Sequence, residues 1–146
     1  ISTTIPNARI IHCYRNPLDN ILSIYRAHFS NGNSFSSSLV DCARLYSDQK
    51  EIMKTYKKRF RSYIYDLNYD ELVTNPLEEI KSLINWLEWE WKDDYLSPHL
   101  NQRSVFTRSN VEIRSPINSK SLGGWKNYKD MLKPAIEILL KNDIKI

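Results

Sequence analysis

The segment Ala8-Arg9-Ile10-Ile11-His12-Cys13-Tyr14-Arg15-Asn16-Pro17-Leu18-Asp19 holds a change of backbone period around which the rest of the chain arranges itself. Residues 8–14 read as a short, mostly apolar buried strand. Asn16 can then cap a helix, Pro17 suits the first helical position, and Asp19 falls in the first turn, where a carboxylate is favoured. Arg15 therefore stands where a strand hands over to a helix, the place where open α/β sheets bind ligands. Ser23 follows about two helical turns later, so its hydroxyl can sit beside the guanidinium and share one phosphate with it.

Outward from this point, Ile21, Leu22, Tyr25 and Phe29 give the first helix an apolar face and predict that it runs from Pro17 to Phe29. Residues Ser30 to Ser34 form a turn cluster around Gly32. A second helix is expected from Ser37 to about Arg59, with Leu39, Ala43, Tyr46, Ile52 and Tyr56 on its buried side. Alternation over Ser62–Tyr69 predicts a second strand that ends on Tyr69. The next helix starts near Pro76, capped by Asn75, with Glu78 and Glu79 in its first turn and Ile80, Leu83, Ile84 and Leu87 at helical spacing. Trp86, Trp89 and Trp91 lead to Tyr95; they read as core or surface-sealing groups, since they lack the interleaved cations of a nucleic-acid groove. Residues 101–119 look irregular, and a last helix is expected over Lys133–Leu140. Strand, helix, helix, strand, helix is an α/β order. Two strands alone make a poor sheet, so the chain reads as the second half of a larger parallel sheet or as a subunit that borrows strands.

A length of 146 residues suits one domain or part of one. No apolar run approaches the roughly 20 residues of a membrane-spanning helix. The first ten residues have neither the basic start nor the apolar stretch of a signal peptide, which leads to the expectation of a cytoplasmic protein. The net charge of +4 fits an anionic ligand, though it fits nucleic acid as well. The basic run Lys57-Lys58-Arg59-Phe60-Arg61 reads as a solvated helix end. Cys13 and Cys42 have no metal-ligand spacing and read as core thiols; His12 and His28 read as structural histidines, and no metal site is expected. Asp70 and Glu71 are read as neighbours on extended chain, pointing to opposite faces, so capping or solvation explains them better than a catalytic pair.

The arrangement of Arg15, Asn16, Pro17, Asp19 and Ser23 resembles the 3′-phosphate-binding motif of the sulfotransferases that use 3′-phosphoadenosine 5′-phosphosulfate (PAPS). In that family a strand runs into an Arg-(Asn/Asp)-Pro turn, with an acidic residue close behind and a Ser eight residues after the Arg. Two later segments match in the same order. Tyr69-Asp70-Glu71-Leu72-Val73-Thr74-Asn75-Pro76 resembles the family's Tyr-Glu-(Asp/Gln)-Leu-x-x-x-Pro segment. Ser109-Asn110-Val111-Glu112-Ile113-Arg114-Ser115-Pro116-Ile117, with Trp125 nine residues after the Pro, looks like the C-terminal signature of the branch holding the bacterial tetratricopeptide-repeat sulfotransferases and the tyrosylprotein sulfotransferases. Where the latter carry a Lys before the Trp, this chain has Gly124.

The resemblance implies a PAPS-dependent sulfotransferase domain over residues 1–146, present as its 3′-phosphoadenosine-binding half. Its fold would be the C-terminal portion of a P-loop-like parallel sheet flanked by helices, without the first strand and the 5′-phosphosulfate loop. Arg15 and Ser23 would bind the 3′-phosphate, and Tyr69 would contact the adenine. Ser109 would lie near the sulfuryl-transfer centre, with Arg114, Lys120 and Lys126 as basic groups closing over the nucleotide. The family's phosphosulfate loop is a Gly-containing Arg/Lys-Ser-Gly-(Thr/Ser)-(Thr/Ser) turn. It has no counterpart here, where the glycines are Gly32, Gly123 and Gly124. That loop and the usual Glu or His base are expected upstream, so the isolated chain should be inactive. The acceptor, a hydroxyl or an amine, is left open, as is an oligomeric state. A non-catalytic module that binds adenosine 3′,5′-bisphosphate is the alternative. A nucleic-acid binder is disfavoured, because no helix-turn-helix, zinc or RNA-recognition signature is present.

Overall fold

The computed structural model describes residues 4–5, 7–27, 29, 32–102 and 114–146. Strand β1 (Ile10–Tyr14) pairs in parallel with β2 (Ile64–Asn68), in the register Ile10 to Ile64 through Tyr14 to Asn68. Between them the chain forms α1 (Pro17–Ala27) and α2 (Leu39–Phe60). After β2 come α3 (Tyr69–Thr74) and α4 (Pro76–Trp86), and α5 (Lys133–Lys141) lies near the end. Single 3₁₀ turns fill several connections, among them Gly124–Tyr128.

The parallel pair requires a crossover, which α1 and α2 supply. Asn16 caps α1 through its side-chain oxygen, which accepts from the N–H groups of Leu18 and Asp19 at 3.0 and 3.2 Å. Ser38 caps α2 by accepting from Asp41 N–H at 3.2 Å. At its other end α2 carries Lys57, Lys58 and Arg59, which complement the helix dipole.

The main core is helical and lies to one side of the sheet. Leu18 and Ile21 of α1, Cys42 and Ala43 of α2, and Leu132, Ala135 and Leu139 around α5 are all fully buried, with Ile144 closing the cluster. On the other face of the sheet Leu67, Ile80 and Ile84 form a smaller apolar layer under α4. Trp86 packs on Tyr65 with ring centroids 5.3 Å apart, and Arg9 lies over the same indole. Trp86 thus seals the surface of this layer, whereas Trp89 stays largely in solvent and Trp91 pairs edge-on with Tyr95.

The α/β order and the order of the long helices follow the sequence reading. Four expectations do not. First, β1 is not buried: Ile11, Cys13 and Tyr14 are exposed, so Cys13 is no core thiol. A sheet of two strands leaves each strand with an open edge and its faces only partly covered. Second, Ile52 and Tyr56 in the C-terminal half of α2 stand half in solvent, because α1 and α5 cover only the first half of that helix. Third, α1 stops at Ala27, and Phe29 lies exposed beyond it. Fourth, Tyr69 opens a helix instead of closing the strand. The Asn68 side chain accepts from Asp70 N–H at 3.0 Å and starts α3 there, so Asp70 and Glu71 sit in a first helical turn. The expectations for His28 and Ser109 lie outside the described residues.

Candidate functional site

The backbone around Arg15 is fixed from two sides. Asn16 N–H donates to the Asp70 carboxylate at 2.7 Å, which ties the end of β1 to the start of α3. The Tyr46 hydroxyl of α2 donates to the Arg15 carbonyl at 3.2 Å. A residue between a strand and a helix is thereby held from both faces of the sheet.

The Arg15 side chain is mostly buried, with 17% of it exposed. Its guanidinium carbon lies over the Tyr69 ring, 4.9 Å from the centroid, a cation–π contact. One terminal nitrogen donates to the Ser121 carbonyl at 2.8 Å and lies 3.8 Å from an Asp19 carboxylate oxygen. The Ser121 and Tyr69 hydroxyls are 3.0 Å apart, so Ser121 holds both partners of the stack. Arg15 Nε is buried and has no acceptor among the described residues. A buried donor left in this way calls for a partner that the described residues do not provide.

Arg15, Ser23, Tyr69 and Lys120 line one cavity of about 1000 Å³. Its far wall is apolar and includes Leu67, Leu72, Ile80, Leu83 and Pro116. The lining combines cations and hydroxyls with aromatic and aliphatic surface, which suits a ligand with an anionic head and a flat or apolar body. Two other candidates stand apart from it. Arg114 donates to the Asn101 carbonyl, beside the cavity rather than in its wall. Lys126 folds back over its own turn, with its stem within 3.8 Å of the point where a Cβ on Gly123 would stand.

A second, smaller cavity of about 370 Å³ lies on the α2 side of Arg15. Here His12 Nδ1 and Asp66 are 2.8 Å apart, Lys57 reaches the same Asp66 oxygen at 2.5 Å, and Gln49 meets His12 Nε2 at 3.0 Å. His12 is thus the satisfied structural histidine that its place on the strand suggests. Burial alone would push the Asp66 carboxyl up, but the hydrogen bonds from Lys57 and His12 outweigh it and hold the group below its ordinary value. Burial, followed by the carboxylate of Asp66, pushes the Tyr14 phenol up; burial, followed by Asp70, does the same to Tyr46. Among the described residues no group of three His, Cys, Asp or Glu side chains is placed to hold a metal ion, and no helix is long and apolar enough to cross a membrane.

Three residues that organise the site were not singled out as such by the sequence. Ser121 lies in an irregular loop that carries no periodic signal. The Asp70 clamp needs the parallel register of the two strands, and the burial of Asp19 needs the return of the chain past residue 120. The one available signal was the presence of Asp19 inside the motif itself.

The sequence profile of the sulfotransferase family matches residues 1–93, which include Arg15, Ser23 and Tyr69 and stop short of the C-terminal signature. An uncharacterized protein of Aquifex aeolicus is 34% identical over 137 residues, covering 92% of this chain. The chain spans 18% of the length of that relative. With the profile covering well over half of its residues, the chain belongs to the sulfotransferase family.

Proposed function

We propose that the chain serves sulfuryl transfer from PAPS to a hydroxyl or amine acceptor, and that its own contribution is to bind the 3′-phosphate and adenine of the nucleotide. The observation that carries this reading is the Arg15 guanidinium, 4.9 Å over the Tyr69 ring with its Nε unpartnered among the described residues, in one cavity with Ser23 and Lys120. The planar fork of an Arg matches a phosphate through two parallel hydrogen bonds. The Ser23 hydroxyl and the Lys120 ammonium add a neutral and a charged donor. Tyr69 offers ring surface to the base, and the apolar wall shields the nucleoside from water.

These residues anchor and orient the donor, which lowers the barrier by fixing the geometry of attack. Ser109, near the transfer centre, and Arg114 and Lys126, as groups that close over the nucleotide, rest on the family pattern alone. Lys126 must unfold from the Gly123 turn to take part. The sequence contains no glycine loop of the kind that stabilises the leaving 5′-phosphate, so this chain by itself binds the nucleotide without turning it over.

Titration calorimetry tests the reading. Adenosine 3′,5′-bisphosphate should bind at least about tenfold more tightly than adenosine 5′-monophosphate, since a hydrogen bond to a charged group contributes about 1.5–3 kcal/mol. Arg15→Ala, checked for folding by circular dichroism, should remove that preference. Equal affinity of the unaltered chain for both nucleotides would overturn it.

A further inference from the structure

Asp19 does more than complete the first turn of a helix. It is 5% exposed, and both carboxylate oxygens are engaged. Oδ2 accepts from Gly123 N–H at 2.7 Å, and Oδ1 accepts from Trp125 N–H at 3.0 Å. One carboxylate near the start of α1 thus binds the head of the 3₁₀ turn Gly124–Tyr128, more than a hundred residues later in the chain. The turn is shaped for this contact. Gly123 has φ +67°, a conformation that a side chain disfavours, so glycine suits the point where the turn meets Asp19. Two residues before Gly123, Ser121 gives its carbonyl to Arg15 and its hydroxyl to Tyr69. Asp19 Oδ2 also faces the Arg15 guanidinium directly, at 3.8 Å.

We propose that Asp19 is a positioning residue for the phosphate site: it clips the 119–125 segment to α1, and through Ser121 it sets the plane in which Arg15 and Tyr69 meet the ligand. The proposal rests on the 3′-phosphate reading of Arg15. Asp19 touches no ligand in this scheme. It acts in two opposed ways, and their balance is what an experiment can read. As a clip it orders Arg15 for a bidentate contact, which favours phosphate. As a negative charge beside the guanidinium it offsets part of the attraction for phosphate. Both backbone bonds are charge-assisted and fall on a carboxylate that is nearly buried, and on this proposal the clip outweighs the ion pair with Arg15.

The test compares the unaltered chain with Asp19→Ala and Asp19→Asn, because Asn keeps one acceptor oxygen and loses the charge. Hydrogen exchange reads the clip: the amides of 119–128 should exchange faster in the Ala variant and to an intermediate degree in the Asn variant, while α2 and α5 keep their protection. Calorimetry with adenosine 3′,5′-bisphosphate and adenosine 5′-monophosphate reads the site. The Ala variant should lose about tenfold in bisphosphate affinity with little change for the monophosphate, and Asn should restore part of it. If the unaltered chain does not prefer the bisphosphate, the reading of Arg15 fails and this proposal falls with it. If it does prefer the bisphosphate and both variants keep that preference, the phosphate reading stands and the positioning role is overturned. Tighter bisphosphate binding by Asp19→Asn than by the unaltered chain would overturn it too, since Asp19 would then act mainly as a charge. Unchanged exchange of 119–128 in both variants would remove the clip itself.

Discussion

Arg15 shows how much work one residue can be given by its neighbours. A solvated arginine must give up rotamer freedom when it binds a phosphate. Here that freedom is already restricted by the Tyr69 ring, the Ser121 carbonyl and the Asp70 and Tyr46 contacts to the adjoining backbone. On the opposite side of the sheet, Asp66 plays a structural part with His12 and Lys57. Its folded pKa lies below the ordinary 3.8, so the stability it contributes is complete above that value and is lost as pH falls through the lower, folded value. Chemical denaturation of the parent chain and Asp66→Asn at pH 6 and at pH 3 checks this. The gap in unfolding free energy between the two proteins should be larger at pH 6 and shrink in acid.

Among the elements, the helices carry clear punctuation. Asn16, Ser38 and Asn68 each accept a backbone N–H at the start of a helix, and Pro17 and Pro76 take first-turn positions that need no N–H. Ser38→Ala should cost about 1 kcal/mol by denaturant titration, with no change in nucleotide preference, because Ser38 lines neither cavity beside Arg15. The cap at Asn16 is local in sequence, and residue type alone points to it; the sequence reading places no cap at Ser38, and Asn75 stands at the N-cap position of α4 without a side-chain capping bond. The six-residue α3 was not legible. Tyr-Asp-Glu-Leu-Val-Thr is too short for a helical period, and alternation through Tyr69 favours a strand. The Asp70 bond to Asn16, which exists only once β1 and β2 are side by side, joins the local Asn68 cap in fixing it as a helix.

Over the whole molecule, the main core unites residues from both ends of the chain. Leu139 of α5 is fully buried against α1 and α2, so Leu139→Ala should destabilise the fold by about 2–5 kcal/mol in equilibrium denaturation. That same packing brings the segment after residue 114 back to Arg15, so a destabilised core should also weaken bisphosphate binding. The two-stranded sheet, with Ile11 and Tyr14 exposed, contributes less burial than the helical layer. The cavity beside Arg15 is walled by Leu67, Leu72, Ile80 and Leu83 of the smaller layer, not by the main core.

The sequence by itself determined the local events: the strand-to-helix turn at Arg15, the cap at Asn16, the long helices, the α/β order and the family that the Arg15–Ser23 spacing and the Tyr69 segment point to. These depend on residue type and on short spacings, where the backbone responds to its nearest neighbours. Only the tertiary structure decided what is buried and what meets across the chain. It exposed Cys13, ended β2 before Tyr69, set Arg114 and Lys126 outside the cavity wall, and joined Asp19 to Gly123 and Trp125. Contacts between residues a hundred positions apart depend on how helices and strands pack. No period in the sequence encodes the angle at which the final loop returns to the first helix.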